Sequence, residues 1–241
     1  GLPQGEELDI LNSVKDLVPA SVFTTEYKNP VNGDTGKLRN SLRTANEILT
    51  KAGYTLNGNQ LVDPNGQPVS FEILLNGPTI EPIATAFQTN LKRLGINATI
   101  RSVDSPQYIE RVRNRDFDMI YTGWVQSLSP GNEQRDFWGS ASAAQNDSRN
   151  YAGIADKGVD ALVDKIVFAT NRDTLIAATR ALDRVLLAHH YAVPTYTLRK
   201  SRIARWDRFS HPETLPEFSI GFPTVWWYDD AKAAKTGAAK N

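Results

Sequence analysis

The sequence predicts an α/β protein, and three observations carry that prediction. Between Val69 and Trp124, apolar periodicities of two and of about 3.6 residues alternate in the order strand, helix, strand, helix, strand. The helices in that run have recognisable ends, a Gly after the first and a Ser-Pro before the second. Two further amphipathic helices follow a small, polar stretch at 139–153.

Taken in order, Leu2-Pro3 opens an extended segment. GEELDILNSVKDL then places Leu8, Leu11 and Val14 at helical spacing, with acids in the first turn where the helix dipole favours them. DTGKLRNSLRTANEILTKAG sets Leu38, Leu42, Ala45 and Leu49 on one face and stops at Gly53, a residue suited to the left-handed position after a helix. YTLNGNQLVDPNGQPVSFEILL has turn signals at Asn57-Gly58 and Asn65-Gly66, so it reads as a hairpin leading into a strand from Val69 to Leu75. TIEPIATAFQTNLKRLG aligns Ile80, Ile83, Ala84, Phe87, Leu91 and Leu94 in one stripe, closed by Gly95.

INATIRSVD alternates, with Ile96, Ala98 and Ile100 on one side, as a strand does. Ser105-Pro106 has the form of an N-cap followed by Pro at the first helical position, opening a helix with Tyr108, Ile109 and Val112. FDMIYTGW is an apolar strand, and GSASAAQNDSRNYAG a loop. Val159, Leu162, Val163 and Ile166 mark one helix, and Leu175, Thr179, Leu182, Val185 and Leu186 the next. YAVPTYTLRKSRIARW reads as an extended segment, a Pro and a strand; FPTVWWYDD is the last ordered piece, and residues 231–241 are expected to fray. No internal repeat is visible.

The bulk numbers exclude several classes. The chain has 241 residues, room for one large or two small domains. Lys+Arg and Asp+Glu are both 27, so no charge excess points to nucleic acid or an anionic membrane. The absence of cysteine removes disulfides, thiolate nucleophiles and Cys-based zinc sites. No apolar run approaches the ~20 residues of a membrane span. Gly1, with no Met before it, reads as a cut end.

Catalytic constellations are wanting. There is no G-x-S-x-G elbow, P-loop or G-x-G-x-x-G. His189-His190 are adjacent, so they point about 100° apart on a helix and do not form the i,i+4 pair of a zinc site. Asp116 and Asp118 flank Phe117 and could suit acid–base work, though such pairs more often mark an exposed turn. No cofactor, metal or covalent step is expected.

The stretch DFDMIYTGWVQSLSPGNEQRDFW, Asp116 to Trp138, is the candidate site. Ligands in open α/β sheets sit beyond the carboxyl ends of the strands, where Trp124 falls. Its indole could stack on a flat, partly apolar ligand, with Gln126, Ser127 and Ser129 giving neutral hydrogen bonds. Equally, Trp124 could be core and the serines could cap a turn. Glu133 and Asp136 suit a structural role, pairing with Arg135 or capping the following helix.

Four pieces in order resemble the family 5 extracellular solute-binding proteins of bacterial ABC importers, the dipeptide-, oligopeptide- and nickel-binding group. They are LKRLGI before an alternating strand, YIERVRNRDFDMIYTGW, NYAGIADKGVDALVDKIV, and a helix ending in AHHYAVPTYTL. SPGNEQRDFW and the tail ARWDRF…FPTVWWYDD look closest to a branch linked with uptake of oligopeptides and microcin C-type antibiotics. The resemblance covers residues 5–230 and corresponds to the C-terminal half of such proteins.

It implies a fragment of a larger two-lobed protein, with a mixed sheet flanked by helices as in a type II periplasmic-binding-protein lobe. Residues 1–205 would be the C-terminal ligand-binding lobe, 206–230 strands returning to the missing N-terminal lobe, and 231–241 a flexible tail. The ligand-facing set would be Tyr121, Trp124, Gln126, Ser127 and Ser129. The partners would be a peptide or peptide-like solute and an inner-membrane ABC permease, and the place the periplasm. Alternatives are a non-peptide solute such as a sugar or metal chelate, a hydrolase domain, or a protein-interaction module contacting through its aromatic tail. One departure matters: oligopeptide-binding members carry an Asp three residues after the Trp, pairing with the ligand's ammonium, and this chain has Ser127 there.

Overall fold

The computed structural model describes residues 1–31, 35–198, 200, 202–219 and 221–236. Helix α1 (Gly5–Asn12) is shorter than its periodicity predicts. The Ser13 hydroxyl donates to the Ile10 carbonyl at 2.6 Å, and the chain resumes as a 3₁₀ turn over Lys15–Leu17. Ile10, Leu11 and Val14 are buried there, whereas Leu8 is only half-buried. A single turn, α2 (Ser21–Thr24), buries Val22.

Helix α3 (Thr35–Lys51) and the later α4 (Glu81–Lys92) end in the same motif, as their glycines predict. After α3, Gly53 N–H donates to Thr50 O and Tyr54 N–H to Leu49 O. After α4, Gly95 N–H donates to Lys92 O and Ile96 N–H to Leu91 O. Both glycines have positive φ, 87° and 80°. The predicted stripe of α3 (Leu38, Leu42, Ala45 and Leu49) is half-buried throughout.

Between these helices, β1 (Thr55–Asn57) and β2 (Gln60–Val62) form the expected hairpin. Asn57 pairs with Gln60, so Gly58-Asn59 is the loop, one residue later than the dipeptide that signals it. β3 (Ser70–Asn76) then runs parallel to β4 (Asn97–Val103), with Ile73 opposite Ile100. Helix α4 crosses over between them and buries Ala84 against Ile73, Leu75 and Ala98. Ile83, placed in the core stripe by periodicity, is 45% exposed.

Helix α5 (Ser105–Arg113) is capped by Asp104, whose carboxylate accepts from Gln107 N–H. Ser105, the expected cap, is the first helical residue instead, and its hydroxyl bonds Asn76 Oδ1. β5 (Met119–Ile120) pairs with β3 in parallel, giving the order β4-β3-β5. The predicted strand to Trp124 leaves the sheet early, because the Tyr108 hydroxyl, not a strand, takes the Tyr121 carbonyl at 3.0 Å. Among the described residues, the pairing in this sheet is parallel, and antiparallel pairing occurs in two separate two-stranded sheets and an isolated bridge between Val62 and Pro68.

A short helix, α6 (Glu133–Trp138), ends just before the expected loop, and a second, α7 (Ser140–Ala143), occupies the loop's start. α8 (Lys157–Val167) and α9 (Arg172–His189) are capped by Asp156 and Asn171. The predicted α8 face (Val159, Leu162, Val163 and Ile166) is fully buried against Ala178, Leu182 and Val185 of α9 and against α1. Burying each of these aliphatic side chains contributes about 1.5–3 kcal/mol.

Beyond α9, residues 191–198 form neither helix nor strand, so the predicted strand is not formed among the described residues. The chain ends with the hairpin β6 (Phe209–Ser210) and β7 (Trp227–Tyr228). The tail expected to fray begins as helix α10 (Asp230–Lys235), which buries Ala233; residues 237–241 of that tail lie outside the described residues.

Candidate functional site

The candidate stretch leaves the carboxyl end of β5 and splits into an anchor and an exposed loop. Trp124 is the anchor. It is half-buried, its ring centroid 4.7 Å from Trp138 and 5.7 Å from Tyr151, and its Nε1 donates to the Arg149 carbonyl at 3.0 Å. Tilted ring pairs at such distances are favourable.

The segment that supplies Arg149 is itself fixed from below. Arg115, with φ 53°, donates to Asn150 O, Ser142 O, Gln145 O and Ser148 Oγ at 2.9–3.2 Å. Asn150 is wholly buried and bonds Gly139 O, Ile154 O and Ile154 N. Arg149 pairs with Asp136 at 2.6 Å. Asp136 is therefore structural as expected, but its partner is Arg149, while Arg135 reaches Asp164 at 2.8 Å.

Gln126, Ser127 and Ser129 lie on the exposed loop. Ser127 Oγ accepts from Ser129 N–H at 3.1 Å. Gln126 Oε1 accepts from Gln134 Nε2 at 2.8 Å. Arg172, at the first position of α9, donates from Nη1 to the Leu128 carbonyl and stands 4.2 Å over the Phe218 ring. Tyr121 stands at the strand end, its hydroxyl 3.0 Å from that of Tyr196. That hydrogen bond, then burial, pushes the Tyr121 phenol above its ordinary pKa.

The sequence-predicted set is thus brought to one region, with Tyr121 and Trp124 half-buried and the other three at the surface. Sequence reasoning missed Gln134, Arg149 and Arg172 as its supports. Only Arg172 carried a local signal: a cation in the first turn of a helix opposes the dipole, which points to a partner outside the helix.

The other candidates resolve as framework. Asp116 pairs with Arg111 at 2.9 Å, and Asp118 accepts from Glu72 N–H at 2.9 Å. His189 stacks on Tyr191 at 5.1 Å, its Nε2 3.7 Å from Asp156. Trp226 packs on His211 and Phe222 beside the last hairpin, while Trp227 and Tyr228 are exposed. No cluster of three potential metal ligands occurs among the described residues. None of their helices is long and apolar enough to cross a membrane.

Residues 11–146 match the family model described as bacterial extracellular solute-binding proteins, family 5 middle. The chain is 55% identical over 232 residues to the uncharacterized protein y4wM of Sinorhizobium fredii, covering 96% of this chain and 35% of that protein. It is 50% identical over 228 residues to the probable peptide-binding protein YejA of Agrobacterium fabrum, covering 94% of this chain and 37% of that one. The chain therefore spans about a third of the length of the curated relatives it matches. In fold it is similar to the oligopeptide-binding protein AppA of Bacillus subtilis, solved with a nonapeptide, with a TM-score of 0.57 at 20% identity over 78% of this chain and 38% of AppA.

Proposed function

The chain belongs to the bacterial extracellular solute-binding proteins of family 5, and from that membership we propose that it forms one wall of a peptide-binding cleft. The whole protein would capture an oligopeptide or peptide-like solute in the periplasm and deliver it to an ABC permease. Capture would follow hinge closure of two lobes, which excludes water and strengthens hydrogen bonds to the solute. A second lobe, outside residues 1–241, would supply the opposite wall. No covalent step is required.

The observation that carries this reading is the exposed loop 125–129. It leaves the carboxyl end of a parallel sheet and is held by Trp124 on one side and Arg172 on the other. The name of the Agrobacterium relative favours a peptide over other solutes. Tyr121, Trp124, Gln126, Ser127 and Ser129 would face the solute.

Mass spectrometry of material co-purifying with the full-length protein tests the solute class. Bound peptide is expected; a sugar or metal chelate in its place would overturn the peptide assignment. Calorimetry of Trp124→Ala against such a peptide tests the stacking role, which fails if affinity is unchanged.

A further inference from the structure

The polarity of one buried amide decides what the candidate loop offers a solute. Gln134 is 3% exposed, and its Oε1 accepts from Trp138 Nε1 at 3.0 Å. An indole N–H only donates, so that end of the amide is its oxygen. Gln134 Nε2 must then face Gln126 Oε1 at 2.8 Å and Glu133 Oε1 at 3.2 Å. Burial pushes the Glu133 carboxyl up, but hydrogen bonds from Gly131 N–H, its own N–H and Gln134 outweigh it, and its pKa falls below the ordinary value. An ionised Glu133 only accepts, which fixes the same polarity a second time.

The consequence reaches the surface through Gln126. With its oxygen turned to Gln134, the exposed Gln126 turns its NH₂ outward. Ser127 Oγ already accepts from Ser129 N–H, which leaves its own hydrogen to donate. Arg172 adds a guanidinium, which has five N–H donors and no acceptor, against Leu128 O and Ser129 Oγ. The loop is donor-rich: it bears no carboxylate between 125 and 129, Arg172 stands against it, and the ionised Glu133 lies behind the buried Gln134 amide.

We infer that this loop reads an acceptor oxygen of the solute, a carboxylate or an acyl carbonyl, rather than an ammonium group. The inference rests on the binding reading above and deepens it. Gln126 and Arg172 determine specificity, and Gln134 is a positioning residue that acts through Gln126. An ammonium closed against these donors would be desolvated without a partner, whereas a carboxylate would gain charge-assisted hydrogen bonds. Ser127, in place of the Asp of oligopeptide-binding members, belongs to this inverted polarity.

The test is calorimetry on the full-length protein with three probes: tetra-alanine, its N-acetyl form and its C-terminal amide. The N-acetyl form is expected to bind at least as tightly as the free amine if the acceptor is an acyl carbonyl. If it is the carboxylate, amidation is expected to weaken binding about tenfold. Gln126→Glu, exposed and nearly isosteric, turns a carboxylate oxygen outward and should shift preference toward the free-amine peptide by about tenfold. Gln134→Leu, which removes the amide that holds the Gln126 oxygen inward and places no second carboxylate beside Glu133, should bring the N-acetyl to free-amine affinity ratio closer to one. A wild-type preference for free amine over N-acetyl of about tenfold or more, or a ratio unmoved by Gln126→Glu, overturns the proposal. If no probe binds the wild type, the peptide reading itself fails, and this inference with it.

Discussion

The indole of Trp124 donates to the backbone carbonyl of Arg149 across 3.0 Å, tying the end of the β5 segment to a loop 25 residues further along the chain. The aromatic that marks the candidate cleft is therefore also a fastening of the fold. The proposed ligand contact and the stability of the fold would be coupled in one side chain, and its substitutions must be read on both axes.

Trp124→Phe keeps an aromatic ring against Trp138 and Tyr151 but removes the bond to Arg149. We expect a loss of about 1 kcal/mol in urea unfolding. Trp124→Ala removes the ring as well and should cost about 3 kcal/mol. Equal losses for the two variants would mean that ring packing contributes nothing.

Arg115 sits in the left-handed region at φ 53° and gathers Ser142, Gln145, Ser148 and Asn150 around one guanidinium. Arg115→Asn retains a residue that tolerates this backbone but loses the fork. The expected cost is about 2–3 kcal/mol, because the bonds from one charged donor group to three carbonyls and a hydroxyl are lost together. Amide exchange should accelerate across 142–150 first; unchanged exchange there would contradict the role.

Tyr121 and Tyr196 join hydroxyls at 3.0 Å, and among the described side chains this bond ties the segment 191–198 to the strand end. The Tyr121 phenol is raised above its unfolded pKa, first by that bond and then by burial. A raised pKa means that the contribution is present below the unfolded value and lost as pH rises through the folded one. Tyr196→Phe should move the late-titrating phenol back toward its ordinary value in an alkaline absorbance titration. It should also speed proteolysis within 191–198.

Asp229 titrates at the other extreme. The Ser210 hydroxyl at 2.6 Å, then the Lys232 N–H at 3.0 Å, hold its carboxyl below the ordinary aspartate value of 3.8. A depressed pKa gives a contribution present above the unfolded value and lost as pH falls through the folded one. Protection of the Lys232 amide should therefore fade in acid below pH 3.8. Asp229→Asn should abolish that dependence, and a fade that persists in the variant would assign it elsewhere.

Much of the fold was legible because it is written in local patterns. The buried face of α8 follows from Val159, Leu162, Val163 and Ile166 at helical spacing, and Gly53 and Gly95 end their helices as a missing Cβ allows. Legibility failed where a side chain competes with the backbone. Ser13 shortens α1, Asp104 displaces Ser105 as cap, and the Tyr108 hydroxyl ends β5 at Ile120. In the candidate site, Trp124, Gln126, Ser127 and Ser129 could be named from their place after an apolar strand. Gln134, a polar residue in a short helix among charges, had nothing in its neighbourhood to mark it as buried.

The sequence by itself determined the alternation of strand and helix from Val69, the faces that make the core, and the aromatic loop as the place to look. These depend on residues within a few positions of one another, where spacing dictates direction. Only the tertiary structure decided that Trp124 is fastened to Arg149, that Arg172 bonds the Leu128 carbonyl, and that Gln134 holds the Gln126 oxygen. Of these, the Arg149 and Arg172 bonds join residues 25 and 44 apart, so they exist only once the chain has returned on itself. The Gln134 bond is local, but its polarity depends on which groups are buried together, and burial is a property of the packed chain.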